Sequence, residues 1–206
     1  MTDYVGPQQV SLRNRPARGP VRRNDLPNNA IPILALDPGG TTGWSLIVLK
    51  RELLGRNVFD QPLEMILKSK MKWDHGEIDC RQSEDVAVYQ IRKLIDEWPS
   101  AAIVVEDFIL RTQRREQSRE LLSPVRITAK IEHHLWLCQR KMFLQQPAMA
   151  KRLTDERLKA LGVYTRDGGL QHARDADRHV VMFIRRCMDG TKGVVLQQNS
   201  WPHIFS

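Results

Sequence analysis

Carboxylates at the ends of buried strands are costly to desolvate, and a bound divalent cation is the usual compensation. This sequence places two of them so. Asp37 ends the apolar run IPILAL and opens DPGGTTG, whose glycines let the backbone turn sharply and leave space beside the carboxylate. Glu106 lies within IVVEDFIL, and by a period of two it shares a face with Val104 and Phe108, while Asp107 points the other way. A third contribution comes from HARDADRHVVMFI. At about 100° per residue, Ala176, Val180, Phe183 and Cys187 form an apolar helix face, and His172, Asp175 and His179 gather on one edge of it. Asp175 and His172 can therefore converge on a sheet that carries Asp37 and Glu106. Plainer readings stand beside this one: Asp37 can bond its own turn, Glu106 can pair with an arginine, and His179 reads first as a satisfied core histidine. Asp177, roughly 160° from Asp175 around the helix, reads as the surface partner of a neighbouring arginine.

The elements that must position these groups follow from periodicity and punctuation. IPILAL and WSLIVL are two strands joined by the DPGGTTG turn, MKWDHGEIDC (71–80) is an edge-like third, AAIVVEDFIL (101–110) is central, and KMFLQQ is short. Ser83 caps a helix with an apolar stripe of Val86, Tyr89, Leu94 and Ile95, which Pro99 ends. Further helices are expected over about 124–140, from Pro147 to about Leu161, and from Gln171 to Met188 after the Gly168-Gly169 break. Strands first, then alternating helix and strand, give a mixed α/β sheet with helices on its faces.

A chain of 206 residues suffices for one sizeable domain and is short for two. We expect a basic, Pro-rich N-terminal arm over 1–30, a domain over 31–190 and a tail over 191–206. Hydrophobic and charged fractions of 41% and 27% exclude wholesale disorder, and no apolar run approaches the length of a membrane span. The N-terminus is too polar for a signal peptide, so a soluble, cytoplasmic protein is expected. A formal charge of +8 favours a polyanionic partner. Cys80, Cys138 and Cys187 lie far apart without a Cys-x-x-Cys pair, and each reads as a small buried hydrophobe.

ILALDPGGTTGW, IVVEDFIL and HARDADRHVVMFI, in that order and spacing, resemble the motifs of RuvC-type Holliday junction resolvases, particularly the short bacteriophage variants. The resemblance runs from about Ile33 to Met188 and implies a ribonuclease H-like fold, a mixed five-stranded sheet flanked by helices. Asp37 matches the first-strand aspartate, Glu106 the fourth-strand glutamate, and Asp175 the second acid of the closing pair. His172 takes the first position of that pair. Lys151, after QQPAMA, is placed like a lysine that family members direct towards DNA. Two departures are visible: DPGGTTG is one residue shorter than in cellular enzymes, and Phe108 follows the glutamate by two residues instead of three, which favours core packing over base stacking.

The resemblance implies a magnesium- or manganese-dependent endonuclease that resolves Holliday junctions or other branched DNA such as flaps and forks, with two ions at each site. Asp37 would bridge the ions, Glu106 serving one side and Asp175 with His172 the other. Arg111, Arg114, Arg115 and Arg119 follow the Glu106 strand and could contact phosphates, or form a solvated face with Glu116 and Glu120. A homodimer is implied as well, and the helix carrying Ile131, Leu135, Trp136 and Leu137 is one candidate surface, an ordinary core helix being its plainer reading. If the gene is phage-encoded, the protein works in the cytoplasm of a bacterial host. Two other readings stay open. One is a junction-binding protein that keeps the fold without cutting; the other is an ATP-dependent phosphotransferase of the actin and sugar-kinase class, whose phosphate loop LDPGGTTG also resembles.

Overall fold

The computed structural model describes residues 30–51, 58–109, 122–165 and 170–205. Strands β1 (Ala30–Asp37), β2 (Thr41–Lys50) and β3 (Lys70–Asp79) form an antiparallel meander. β4 (Ala102–Glu106) and β5 (Met142–Gln145) add in parallel on the other side of β1, giving the order β3-β2-β1-β4-β5. Helices α1 (Leu63–Lys68), α2 (Glu84–Glu97), α3 (Ser123–Leu137), α4 (Pro147–Ala150), α5 (Asp155–Ala160), α6 (Gln171–Cys187), α7 (Gly190–Ser200) and α8 (Pro202–Phe205) cover its faces. This is a mixed five-stranded α/β sheet flanked by helices, as the resemblance implies.

Alternation along the strands divides the core in two. Ile31, Ile33 and Ala35 of β1, Ile47 and Leu49 of β2, and Ala102 and Val104 of β4 face α6, α1, α5, α7 and α8. Leu34, Leu36, Leu46, Val48, Ile103 and Val105 face α2 and α3. Asp37 and Glu106 continue the first of these rows. Since Leu36 pairs with Val105, one step further the two carboxylates end adjacent parallel strands on the α6 face.

Several expectations need correction. Ser83 does cap α2, its side chain accepting from the Val86 amide, but the buried stripe is Ala87, Val88, Ile91 and Ile95, while Val86 and Tyr89 face solvent. β4 ends at Glu106 instead of running to 110, α3 stops at Leu137, and Phe108 is only partly buried, outside both core clusters. The segment from Pro147 to Leu161 is two helices, because Thr154 caps α5 by accepting from the Arg157 amide and so starts a new axis. Cys80 and Cys187 are buried but Cys138, at the C-terminal end of α3, is exposed. Ile131 and Leu135 pack in the core while Trp136 and Leu137 are exposed.

Residues after 190, expected to form a tail, belong to the core. α7 packs on α6, and Gly193 permits this: a β-carbon there would lie 2.3 Å from the Cys187 carbonyl oxygen. Trp201 is fully buried, stacks on Phe59 at 5.8 Å between ring centroids and meets Phe183 edge-on. Its indole N–H donates to the Pro32 carbonyl of β1 at 3.1 Å, so the end of the chain is bonded to its first strand. Apolar periodicity alone missed this because α7 presents few apolar side chains; its contribution is mostly to deliver one tryptophan. Trp201→Ala should destabilise the fold by about 3–5 kcal/mol, read as a lowered urea midpoint at unchanged slope; a midpoint equal to wild type would refute the core role.

Candidate active site

Three side chains, Asp37, His172 and Asp175, meet where β1 and the N-terminal turns of α6 come together, and Glu106 ends the adjacent strand β4. His172 Nδ1 lies 3.1 Å from Asp37 Oδ2. Donor atoms of Asp37, His172 and Asp175 all fall within 4.8 Å of one another. Glu106 stands beside them and is close enough for its charge to act on Asp37. Burial raises the pKa of Asp37 above the ordinary carboxylate value, against the hydrogen bond from His172, and the negative charges of Glu106 and Asp175 push it the same way. His172 is shifted upward too, first by its hydrogen bond to Asp37, with partial burial opposing. Two carboxylates and an imidazole at chelating separation, with a third carboxylate adjoining, are a donor set suited to an oxygen-preferring divalent ion.

What holds α6 in place is largely polar, and little of it was anticipated from the sequence. Gly43, paired with Asp37 across the β1–β2 hairpin, lies so close to the helix that a β-carbon would sit 1.9 Å from the His172 carbonyl oxygen. Glu77 of β3 accepts from the backbone N–H groups of His172 and Ala173 at 2.8 and 3.4 Å, satisfying two of the unpaired donors at the helix start. Deeper in the interface Asp177 is completely buried. It accepts from Ser45 Oγ at 2.6 Å and Trp73 Nε1 at 2.9 Å, and bonds His75 Nδ1 at 2.8 Å. His75 in turn reaches Thr165 Oγ1 at 3.2 Å.

The surface role expected for Asp177 is therefore wrong. α6 crosses β1, β2, β3 and β4, so both edges of its inner face are covered, and the edge away from Asp175 lands on the polar residues of β3. One signal was present: in KMKWDHGEID, Trp73, His75 and Glu77 alternate onto a single face, a row of polar-capable residues in a strand that needed something to receive them.

The predicted site residues divide clearly. Asp37, Glu106, His172 and Asp175 come together. His179 is fully buried, as a core histidine should be, yet its Nε2 bonds Glu106 Oε2 at 2.5 Å, which gives that glutamate a basic partner in place of the arginine anticipated. Asp175 accepts from Arg178 Nη1 at 2.5 Å, and Arg178 also bonds Asp155 and the Leu153 carbonyl. Lys151 is exposed on the turn after α4, two residues from that carbonyl. Arg111, Arg114, Arg115 and Arg119, like the N-terminal arm before Ala30, lie outside the described residues.

A second cluster, Asp96, His134 and Cys138, also brings donor atoms within 4.8 Å of one another. There Arg92 Nε donates to His134 Nδ1 at 3.1 Å, which places the ring proton on Nε2, facing Asp96 Oδ1 at 2.9 Å. A cation on Nε2 would have to displace that proton and turn Nδ1–H against the arginine, so the cluster is a hydrogen-bonded tie between α2 and α3.

No protein-family model and no curated protein matches the chain. Solved structures similar to it include two of RuvC. Thermus thermophilus RuvC in complex with a Holliday junction substrate superimposes with a TM-score of 0.53 at 11% identity, over 78% of this chain and 97% of the other. A second Thermus thermophilus RuvC structure gives 0.51 at 11% identity, over 78% and 98%. At such identity the likeness is one of fold: this chain has a RuvC-like ribonuclease H fold.

Gly43 is the residue most tightly constrained by this geometry. Gly43→Ala should push the start of α6 off β2, costing about 1–3 kcal/mol and separating His172 from Asp37. Chemical denaturation would measure the first effect and the shift of the His172 ring resonances the second; an unperturbed His172 would contradict the contact.

Proposed function

We propose that this protein is a metal-dependent, structure-selective DNA endonuclease that cuts Holliday junctions or related branched DNA. The observation that carries the reading is that donor atoms of Asp37, His172 and Asp175 lie within 4.8 Å of one another in a RuvC-like fold, with Glu106 ending the adjacent strand, and that burial first, then the charges of Glu106 and Asp175, raise the pKa of Asp37. Mutual repulsion of this kind is relieved by cations. One of the similar structures is a RuvC in complex with a Holliday junction substrate, which supports branched DNA as the ligand class.

Asp37, Glu106, His172 and Asp175 are the residues that would hold Mg²⁺ or Mn²⁺, two ions in the fullest form of the reading. When bound, such ions lower the pKa of a coordinated water and offset charge on the scissile phosphate. The chain's own contribution is arrangement. Asp37 is fixed at the end of a buried strand, His172 is held against it by Gly43 and Glu77, and the buried His179 backs Glu106. Arg178 holds Asp175 on one oxygen, Oδ1, and leaves the carboxylate a second oxygen for an ion. Lys151 and the arginines at 111, 114, 115 and 119 would supply phosphate contacts that orient the duplex arms without reading sequence.

A homodimer fits this substrate, because a four-way junction presents two symmetry-related strands. Val125, Ala129 and Trp136 form, with Glu132 between them, an exposed stripe on α3 opposite the buried Ile127, Ile131 and Leu135, and Trp136 is 71% exposed. A second copy of the same helix is the occupant we assign to it.

One observation favours a second reading, a branched-DNA-binding protein that does not cut. Each carboxylate already has a basic partner: His172 for Asp37, His179 for Glu106, Arg178 for Asp175. A single assay separates the two. Wild type should nick a synthetic four-way junction only with Mg²⁺ or Mn²⁺, and Asp37→Asn should lose at least about 10³-fold in rate while still binding the junction. Binding without nicking by wild type would favour the second reading, and cutting retained by Asp37→Asn would reject the site. Trp136→Glu should convert a dimer, measured by sedimentation at micromolar concentration, into a monomer; a monomeric wild type would overturn the dimer.

A further inference from the structure

His179 is the one fully buried imidazole on α6, and it stands outside the four residues proposed to hold the ions. Its ring bridges two strands: Nε2 lies 2.5 Å from Glu106 Oε2 at the end of β4, and Nδ1 lies 3.1 Å from the side-chain amide of Gln145 at the end of β5. Gln145 is itself buried, 1% exposed. With its amide nitrogen toward the ring, Gln145 donates to Nδ1 at 3.1 Å and to the His179 carbonyl at 3.2 Å, and its oxygen accepts from the Phe183 amide at 3.3 Å. The amide orientation is assigned from this network, since it alone gives every one of these atoms a complementary partner. The reverse orientation sets oxygen against oxygen and nitrogen against nitrogen.

That amide decides where the ring proton sits. A donor at Nδ1 makes Nδ1 the acceptor, so the single proton of the neutral imidazole is on Nε2. That N–H then points at Glu106 and occupies Oε2. Among the described residues no other side chain bonds Glu106, so Oε1 is the oxygen left for an ion. Without the histidine, the glutamate side chain would be able to turn about its last torsions at the end of the strand, and ordering it would oppose ion binding.

We infer that His179 is a positioning residue for Glu106 and that Gln145 acts by selecting the histidine tautomer. This rests on the reading of Asp37, Glu106, His172 and Asp175 as an ion site. It adds a mechanism that the matched motif positions do not state: an amide on β5 fixes a proton on α6, and that proton fixes a carboxylate on β4. Outer-shell partners that orient a ligand work in this way, and their loss typically costs about 10–100-fold in metal affinity.

The experiment measures Mn²⁺ binding to the full chain without DNA, by electron paramagnetic resonance, alongside nitrogen-15 spectra of the histidine rings. In wild type the His179 ring should carry its proton on Nε2. His179→Leu, which keeps volume but removes the donor, should weaken Mn²⁺ binding about 10–100-fold. His179→Gln, whose amide nitrogen can reach the same carboxylate oxygen, should recover most of the loss. Gln145→Leu should leave the histidine in place but let its proton populate Nδ1, with a smaller loss of affinity. Circular dichroism and the urea midpoint identify any variant that fails to fold; if His179→Leu does, the position of the wild-type ring proton and the Mn²⁺ affinity of Gln145→Leu carry the test.

Three results would overturn the inference: a wild-type proton on Nδ1, Mn²⁺ affinity within about twofold of wild type in His179→Leu, far short of the expected loss, or equal losses in His179→Leu and His179→Gln. Asp37→Asn, run in parallel, separates this from the ion-site reading itself. If Asp37→Asn weakens Mn²⁺ binding and His179→Leu does not, only the positioning role falls; if neither does, the ion site falls with it.

Discussion

At Gly43 the backbones of β2 and α6 come closer than any side chain would permit, and the site exists because of that approach. The same residue is paired with Asp37 across the hairpin. Whatever lies on the first turn of α6 is therefore delivered to the end of β1, and His172 is what lies there. Further along, the helix is held by groups that are unusual in a sheet interior. A completely buried aspartate takes hydrogen bonds from a serine, a tryptophan and a histidine, and a glutamate from the edge strand receives the helix's first amides. Such contacts are directional, so they fix the rotation and depth of α6 in a way that apolar packing alone does not.

The electrostatics of the site follow from the same placement. Burial of Asp37 disfavours its charge, and repulsion from Glu106 and Asp175 adds to that penalty, which is why Asp37 holds its proton more tightly than an exposed aspartate. The chain answers with a basic group for each acid: His172, His179 and Arg178, all from α6. Helix α6 thus carries one of the acids together with all three of these counterweights. The spacing 172, 175, 178, 179 keeps them within two turns, on the side that meets β1, β4 and α4.

The rest of the molecule secures this arrangement from behind. Two hydrophobic layers, one on each face of the sheet, come from plain alternation in β1, β2 and β4. The α6 layer is completed by Trp201 near the far end of the chain, whose indole is bonded to the first strand, so that α6 is clamped between the sheet and a cover of α7 and α8. The α2 and α3 layer leaves Val125, Ala129 and Trp136 exposed on the outer side of α3, in one row with Glu132.

Much of this was legible in the residues. Asp37 at the end of an apolar run, Glu106 on the face of Val104, and the apolar face of α6 with His172 and Asp175 on its edge depend only on strand and helix periods, which are local properties of the chain. Those periods were enough to say which side chains face inward, and with them which acids share a face. They were not enough to say what each inward group meets. Asp177 reads as a surface residue until the sheet proves wide enough to cover both edges of α6. His179 was read correctly as a satisfied core histidine, but its partner, Glu106, lies 73 positions away. The residues after 190 carried too little apolar pattern to announce that Trp201 closes the core. Periodicity belongs to a segment and can be read from it; the pairing of polar atoms belongs to two segments at once and is decided only when the chain has brought them together.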